Sequence, residues 1–417
     1  MSELLARAAA EFGTPVWVYD AAAVRRRIAR LSRFDVIRYA QKANSNVHLL
    51  RLMREEGVCV DSVSLGELER ALAAGYRPGG DPSPVVFTAD LLDRATLRRV
   101  TELRVPVNAG SPDMLEQLGR VSPGHPVWIR INPGFGHGHS NKTNTGGPHS
   151  KHGIWHEDLR ESLRLVDAYG LDLVGLHMHI GSGVDYSHLE SVCEAMLKQA
   201  RLAGRDLRAL SAGGGLSVPY GPGAPEVDVD RYFRVWDATR RELESDLGHA
   251  VQLEIEPGRY LTADSGSLVC EVRAEKRMGP NRFVLVDAGF NDLMRPALYG
   301  SSHRVSVLSP DGTPREGTPT DTLLAGPLCE SGDVFTQAAD GTVAPIPLPP
   351  VTIGDLAVFH DTGAYGASMS STYNSRPLAP EVLAEDDTLR LIRRRQTIGD
   401  LIALEENTRP VAAADSR

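Results

Sequence analysis

The chain is poor in cysteine. Its four, Cys59, Cys193, Cys270 and Cys329, lie far apart and form no C-x-x-C pair. That excludes a disulfide scaffold and a zinc ribbon. It lacks an excess of positive charge, since 45 Lys and Arg against 54 Asp and Glu leave a net charge of −9. No basic field is there to attract nucleic acid or an anionic membrane. No apolar run approaches the ~18 residues of a membrane span. The first stretch, MSELLARAAAEFG, is broken by Glu3, Arg7 and Glu11, which excludes a signal peptide. These absences predict a soluble, cytoplasmic, mildly acidic enzyme. At 417 residues it holds one large domain or two medium ones.

What is present is a rhythm. VIRYA (36–40), CVDSV (59–63), VVFT (85–88), VPVNA (105–109) and VWIRI (127–131) read as strands, as do LVGLHMHIG (173–181), LRALSAGGG (207–215) and VQLEIEPG (251–258). Helical patterns follow most of them. About eight strand-then-helix units predict an α/β fold, an eightfold (β/α) TIM-like barrel, with an open doubly wound sheet as the alternative. After Ser265 the pattern changes to LVCEVRAE, RFVLVDA, DTLLAG, PLPPVTIG and LAVFHD, with little helix between them. This predicts a C-terminal, mostly antiparallel β domain. VWVYD (16–20) falls outside the barrel count and is expected to join that domain. The expected divisions are an N-terminal segment 1–29, a barrel 30–265, a β domain 266–405 and a tail 406–417.

Barrel chemistry collects at the C-terminal ends of the strands. There the sequence puts Lys42, Asp61, Thr88, Asn108, Asn132, His177 with His179, Gly213–Gly215, and Glu256 with Arg259. Each fits a plain reading and a chemical one. Gly213, Gly214 and Gly215 make a turn, or a backbone cradle for phosphate. Lys42 is a solvated surface residue, or an amine nucleophile that forms a Schiff base. Glu256 is a structural partner of Arg259, or the partner of a cofactor's ring nitrogen. The H-x-H pair of His177 and His179 invites a metal, but alternation along a strand explains it with no metal. His179 then stacks on a flat ring and His177 is structural. In the second domain AGPLCESGD carries Cys329 and Glu330, NDLMRPALYG carries Arg295 and Tyr299, and GAYGASMSSTYN carries Tyr365.

A Schiff-base lysine, a stacking histidine, a glycine cradle and a ring-nitrogen carboxylate together describe pyridoxal 5'-phosphate. YAQKAN, HMHIGSG, SAGGGLS, EIEPGRY, GPLCESGD and GAYGASMSSTYN resemble the motif set of the barrel-type (alanine racemase-like) pyridoxal-phosphate decarboxylases. Within them the chain is most similar to the diaminopimelate decarboxylase family, from about Phe12 to about Leu404. The resemblance implies decarboxylation of meso-2,6-diaminopimelate to L-lysine and carbon dioxide, the last step of lysine biosynthesis. It implies a homodimer whose sites are completed by the partner chain. Lys42 resembles the cofactor-attachment lysine. His179, Ser182, Gly213, Gly214, Gly215, Glu256, Pro257, Gly258, Arg259 and Tyr365 match cofactor contacts, and Asp61 a position near the cofactor. Arg259, Arg295, Tyr299, Glu330 and Tyr365 resemble substrate ligands, and Cys329 the proton donor. The histidine-rich loop at 135–153 departs from the family pattern and receives no role. Alternatives kept open are a decarboxylase of D-ornithine or D-lysine, and a non-catalytic cofactor-binding homologue. Alanine racemases share the barrel plan but pair the ring nitrogen with arginine, which Glu256 opposes.

Overall fold

Strands buried on both faces need few exposed polar side chains, and the first two thirds of the chain supply short, largely apolar runs with single polar residues among them. The computed structural model describes residues 1–136, 146–179, 181, 183, 185–221, 224–338 and 340–406. The chain divides into two compact units. One holds Ala21–Ser265 and Gly363–Ser368, and the other holds Met1–Asp20, Gly266–Thr362 and the residues from Met369 onward. Strand β1 (Val16–Asp20) belongs to the second. The first is built on β2 (Val36–Ala40), β3 (Cys59–Ser62), β4 (Val85–Ala89), β5 (Val107–Ala109), β6 (Pro126–Asn132), β7 (Asp172–His177), β8 (Ala209–Ser211) and β9 (Gln252–Ile255).

Each of these strands pairs in parallel with the next, and β9 returns to β2 with Glu254 opposite Val36 and Ile255 opposite Ile37. The sheet is therefore a closed eightfold barrel, and the open-sheet alternative is excluded. Closure removes the unpaired edges that an open sheet must protect. Inside, Arg38 and Glu254 are about as buried as aliphatic residues, at 1% and 2% exposure. Arg38 Nε and Nη2 donate to Glu254 at 3.0 and 2.9 Å, and Nη1 donates to the Ser83 carbonyl at 2.7 Å. The bidentate geometry offsets the desolvation of both ions.

The helices between strands start on side-chain caps. Asn46, Ser64, Asp93, Asp185 and Asp228 each accept a backbone N–H of the first turn, which satisfies donors that the helix leaves unpaired. Ser111 stands at a cap position without that bond, and Pro112 opens the helix. Five strands are shorter than the sequence predicts, the second, fourth, sixth, seventh and eighth. The fourth begins at Val107 and not Val105, and the sixth ends at His177 and not Gly181. Gly181 has φ +117°, which a strand does not accommodate. The helix Ala21–Ala29 falls in the barrel unit, whereas the sequence reading drew its boundary after residue 29.

In the other unit β1 lies between β10 (Gly266–Met278), antiparallel to it, and a strand at Glu381–Glu385, parallel to it. Further strands are Asn281–Val286, Val305–Leu308, Thr320–Ala325, Ile346–Leu348, Leu356–Phe359 and Thr388–Arg393. Most pairings are antiparallel; Phe283–Leu285 with Leu323–Ala325 is a second parallel pair. Of PLPPVTIG only the first two residues are strand, because two prolines remove ladder donors. A helix the sequence reading did not include, Ser2–Phe12, lays Leu5, Ala6, Ala8 and Ala9 on this sheet beside Val16, Val269 and Val358. Among the described residues no helix is long and apolar enough to cross a membrane.

Candidate active site

Lys42 sits on a single 3₁₀ turn, Gln41–Ala43, directly after β2. Its neighbours are buried while its own side chain is exposed. Gln41 anchors the turn by donating from Nε2 to Ser62 Oγ at 2.6 Å. The Ala43 carbonyl accepts the Tyr365 N–H at 2.8 Å and the Ser368 hydroxyl at 2.9 Å. Tyr365 holds φ +57°, a conformation that costs a non-glycine residue energy and marks a tightly determined position. The Arg259 guanidinium lies 5.0 Å from the Tyr365 ring centre, within cation–π range, and donates to Tyr220 Oη at 2.7 Å. Gly258 brings the backbone after β9 against the same turn, since a side chain there would lie 3.1 Å from the Ala40 carbonyl.

Glu256 and Asp61 are the two buried carboxyl groups of the mouth. Glu256 Oε2 accepts from His177 Nε2 at 2.8 Å, and Oε1 accepts from Ser211 Oγ at 3.2 Å. Burial alone would favour its neutral form, but His177, then Arg38 and His179, hold its pKa down at about 2. Asp61 goes the other way. Burial and the Glu256 charge push its pKa well above the usual carboxyl range, against a Thr88 hydrogen bond and the charge of Lys42. Its Oδ1 is buried without a hydrogen-bond partner among the described residues. His179 is half-buried past the end of β7. Desolvation, with the charges of Arg130 and Lys42, pushes its pKa well below that of free imidazole, so the ring is neutral near pH 7.

The glycine run joins these groups. Gly214 N–H donates to His179 Nδ1 at 3.0 Å, and Gly213 N–H to Ser211 Oγ at 3.2 Å. Glu256 N–H donates to the Gly213 carbonyl at 2.8 Å. A side chain at Gly214 would run into the Glu256 carbonyl, and one at Gly213 into the Met178 carbonyl. The glycines therefore allow the ends of three strands to close together. Two of the three amides serve the protein itself, so the phosphate reading of the run is narrower than three free donors. Lys42, Asp61, His179, Gly213–Gly215, Glu256–Arg259 and Tyr365 all fall in the barrel unit. Ser182 lies outside the described residues, as do residues 137–145 of the histidine-rich loop.

Arg295, Tyr299, Cys329 and Glu330 belong to the other unit. Arg295 opens a short helix, Arg295–Tyr299, and is buried, with Nη1 3.0 Å from His303 Nε2 and Nη2 donating to Ser301 Oγ at 3.3 Å. Tyr299 is half-buried. Cys329 and Glu330 are exposed on a loop pinned to a neighbouring turn. The Cys329 N–H donates to Asn374 Oδ1 at 2.9 Å, and Tyr373 Oη donates to Glu330 Oε2 at 3.3 Å. Sequence reasoning did not single out Tyr220, Tyr373 or Asn374. Tyr373 and Asn374 end the quoted GAYGASMSSTYN stretch, whereas nothing in the sequence marks Tyr220.

A carboxylate offers about four lone-pair sites, and two of those on Glu256 are taken. An ionised carboxylate, an unpaired Asp61 oxygen and an exposed amine thus leave unmet polar capacity at one barrel mouth. A heteroaromatic ring with a protonated nitrogen and an aldehyde for the amine meets it, and pyridoxal 5'-phosphate is such a group. Among the described residues no three His, Cys, Asp or Glu side chains are grouped to hold a metal ion.

Comparison with known proteins agrees. Residues 21–263 match the family described as "Pyridoxal-dependent decarboxylase, pyridoxal binding domain". The diaminopimelate decarboxylase of Streptomyces coelicolor is 74% identical over 96% of this chain and 91% of its own. That of Escherichia coli K12 is 64% identical over 97% and 96%. A crystal structure of diaminopimelate decarboxylase superposes with a TM-score of 0.94 at 63% identity, covering 97% of this chain and 96% of that one. A second, from Helicobacter pylori and complexed with L-lysine, gives 0.85 at 31%, covering 96% and 98%. With its barrel, its mouth residues and these relatives in agreement, the chain belongs to the diaminopimelate decarboxylase family of pyridoxal-dependent decarboxylases.

Proposed function

We propose that this protein decarboxylates meso-2,6-diaminopimelate to L-lysine and carbon dioxide with pyridoxal 5'-phosphate, the closing step of lysine biosynthesis. The observation that carries the reading is the buried, ionised Glu256 at the mouth of a barrel whose first strand ends in an exposed lysine. Bound pyridoxal phosphate supplies the electron sink that loss of carbon dioxide from an amino acid needs. The chain's own groups do the rest. Lys42 Nζ is the amine that holds the cofactor and later frees the product. Glu256 keeps a proton on the ring nitrogen, which makes the sink strong. Neutral His179 offers a flat face to the ring, and Ser182 with Gly213–Gly215 contacts the phosphate. Pro257 and Gly258 carry the backbone past the cofactor, with Asp61 beside it.

Diaminopimelate has an amino acid group at each end, so its remote end needs a cation for the carboxylate and an anion for the ammonium. Arg259 or Arg295 supplies the first and Glu330 the second, with Tyr299 and Tyr365 alongside. Cys329 Sγ delivers a proton to the carbon that lost carbon dioxide. A site built for a charged partner rejects analogues lacking it by roughly 10⁴-fold. The same reading makes the protein a homodimer in which Cys329 and Glu330 serve the partner's site. It also makes it a cytoplasmic enzyme, in keeping with four free thiols.

The test is product identification with pyridoxal phosphate present. Equimolar L-lysine and carbon dioxide from meso-diaminopimelate are expected, with little release from lysine or ornithine run alongside. Faster release from either diamine precursor overturns the substrate assignment.

A further inference from the structure

His177 has no part in the scheme above, and the barrel interior gives it one. It ends β7 and is 1% exposed. The residues beside it on the same face of the sheet, Ser211 on β8 and Arg130 on β6, are also buried. An imidazole in such a place costs free energy unless its polar atoms are paired. One of them is, because Nε2 lies 2.8 Å from Glu256 Oε2. Nδ1 is buried and has no partner among the described residues. The single polar bond of this ring is therefore directed at one carboxylate.

The strand register explains how the bond is aimed. His177 stands opposite Ser211 on β8, and Ser211 stands opposite Glu254 on β9. Two neighbouring strands thus send one donor each, from the same level, to the residue just past the end of the third. His177 takes one oxygen of Glu256 and Ser211 takes the other. Held at both oxygens, the carboxylate cannot rotate about its last bond, and its remaining lone pairs keep fixed directions. The groups that set its charge are His177, Arg38 and His179 on the favourable side, with burial opposed; Asp61 is the other buried carboxyl group of the mouth, and the Glu256 charge pushes its pKa up. Of the favourable groups His177 has the largest effect.

We propose that His177 is a positioning residue for Glu256: its Nε2–H orients the carboxylate and keeps it anionic, and thereby keeps the ring nitrogen of bound pyridoxal phosphate protonated. This deepens the function proposed above and rests on Glu256 being the ring-nitrogen partner. His177 acts through Glu256 alone and does not itself touch substrate.

Two substitutions separate the hydrogen bond from simple packing. His177→Gln carries an amide N–H to about the reach of Nε2, whereas His177→Leu fills similar space and donates nothing. Each purified protein is loaded with pyridoxal phosphate labelled with nitrogen-15 in the ring, and the nitrogen resonance is measured by NMR between pH 6 and 9. The native protein and His177→Gln are expected to show the protonated position across this range. His177→Leu is expected to move toward the unprotonated position. Its kcat should fall by about 10–100-fold, the scale seen when a group that orients a functional ligand is lost, with KM little changed. If His177→Leu does not fold by circular dichroism, His177→Asn, whose shorter amide does not reach Glu256, takes its place with the same expectation. A native-like resonance in the leucine or asparagine variant overturns the proposal, and so does a glutamine variant displaced as far as they are. If the native protein itself holds an unprotonated ring nitrogen, it is the role of Glu256 that falls, a result distinct from the other two.

Discussion

Asp61 and Glu256 share the barrel mouth, and their pKa values are driven in opposite directions, Asp61 well up and Glu256 down to about 2. Two carboxyl groups driven apart in this way usually divide acid and base duties between them. The split also gives stability a pH dependence with two signs. Glu256 has a folded pKa of about 2, below the unfolded value of about 4.3. Its contribution is present above about pH 4.3 and lost as pH falls toward 2. The folded pKa of Asp61 is raised, so its contribution is fully present below about pH 3.9 and lost as pH rises through the folded pKa. Urea unfolding of the cofactor-free protein across pH 4 to 8 should therefore show Asp61→Asn gaining on the native chain as pH rises. In acid, Glu256→Gln should lose less stability than the native chain between pH 4.3 and 2. Parallel curves would refute the assignment of states.

Replacing Lys42 by alanine removes the only amine placed by the first barrel strand at the mouth. Carbon dioxide release should drop to below about a thousandth of the native rate, the scale of losing a covalent nucleophile. Borohydride treatment should tag the peptide containing residue 42 in the native protein and tag nothing there in the variant. A tag elsewhere in the native chain would move the attachment site.

Gly214→Ala places a methyl against the Glu256 carbonyl. The strand ends must spread to accept it, at about 1–3 kcal/mol of stability. The same shift moves Glu256 and His179 together, so affinity for pyridoxal phosphate should weaken as well. Thermal unfolding and absorbance titration with the cofactor measure the two effects. Native cofactor affinity in this variant would show that the run is no part of the site.

Glu254→Gln strands Arg38 in the barrel interior without its carboxylate, and should cost about 3–5 kcal/mol. Arg38→Met with Glu254→Leu removes both ions and should recover most of that loss. Equilibrium denaturation of the three proteins checks the ordering. Equal losses in single and double variants would mean that packing, not charge, governs the position.

Cys329→Ala leaves the fold intact, because the side chain is exposed, yet removes the proposed proton donor. Turnover should fall by about 10²–10⁴-fold, as for other lost general acids, with cofactor affinity unchanged. Native kcat in this variant would assign the proton to another group.

The barrel was legible because short, β-branched and largely apolar runs recur between helical patterns, and because its helices carry end signals. Asp228, a side-chain cap, and Gly248, in the left-handed conformation, bracket Val229–Leu247. The helix Ser2–Phe12 escaped because small alanines supply most of its buried stripe. The strand Glu381–Glu385 escaped because its apolar run is only three residues long, between two glutamates, and Thr388–Arg393 escaped although Thr388–Leu391 alternates polar and apolar. At the mouth, residue types could be read strand by strand, but partners could not. His177 and Glu256 are 79 positions apart, and their bond depends on barrel closure. Glu256 bonds to His177 and Ser211, whereas the sequence offered Arg259, which instead donates to Tyr220. The H-x-H spacing suggested strand alternation, yet the strand stops at His177.

The carbonyl beside Lys42 takes its two hydrogen bonds from Gly363–Ser368, as many as 325 residues downstream. During synthesis the turn that carries Lys42 emerges early and waits for that hexapeptide to follow. A truncated polypeptide stopping after the last barrel strand would keep its amine but not the frame around it. Framing of this turn consequently needs two stretches far apart in the chain, Gln41–Ala43 and residues 363–368.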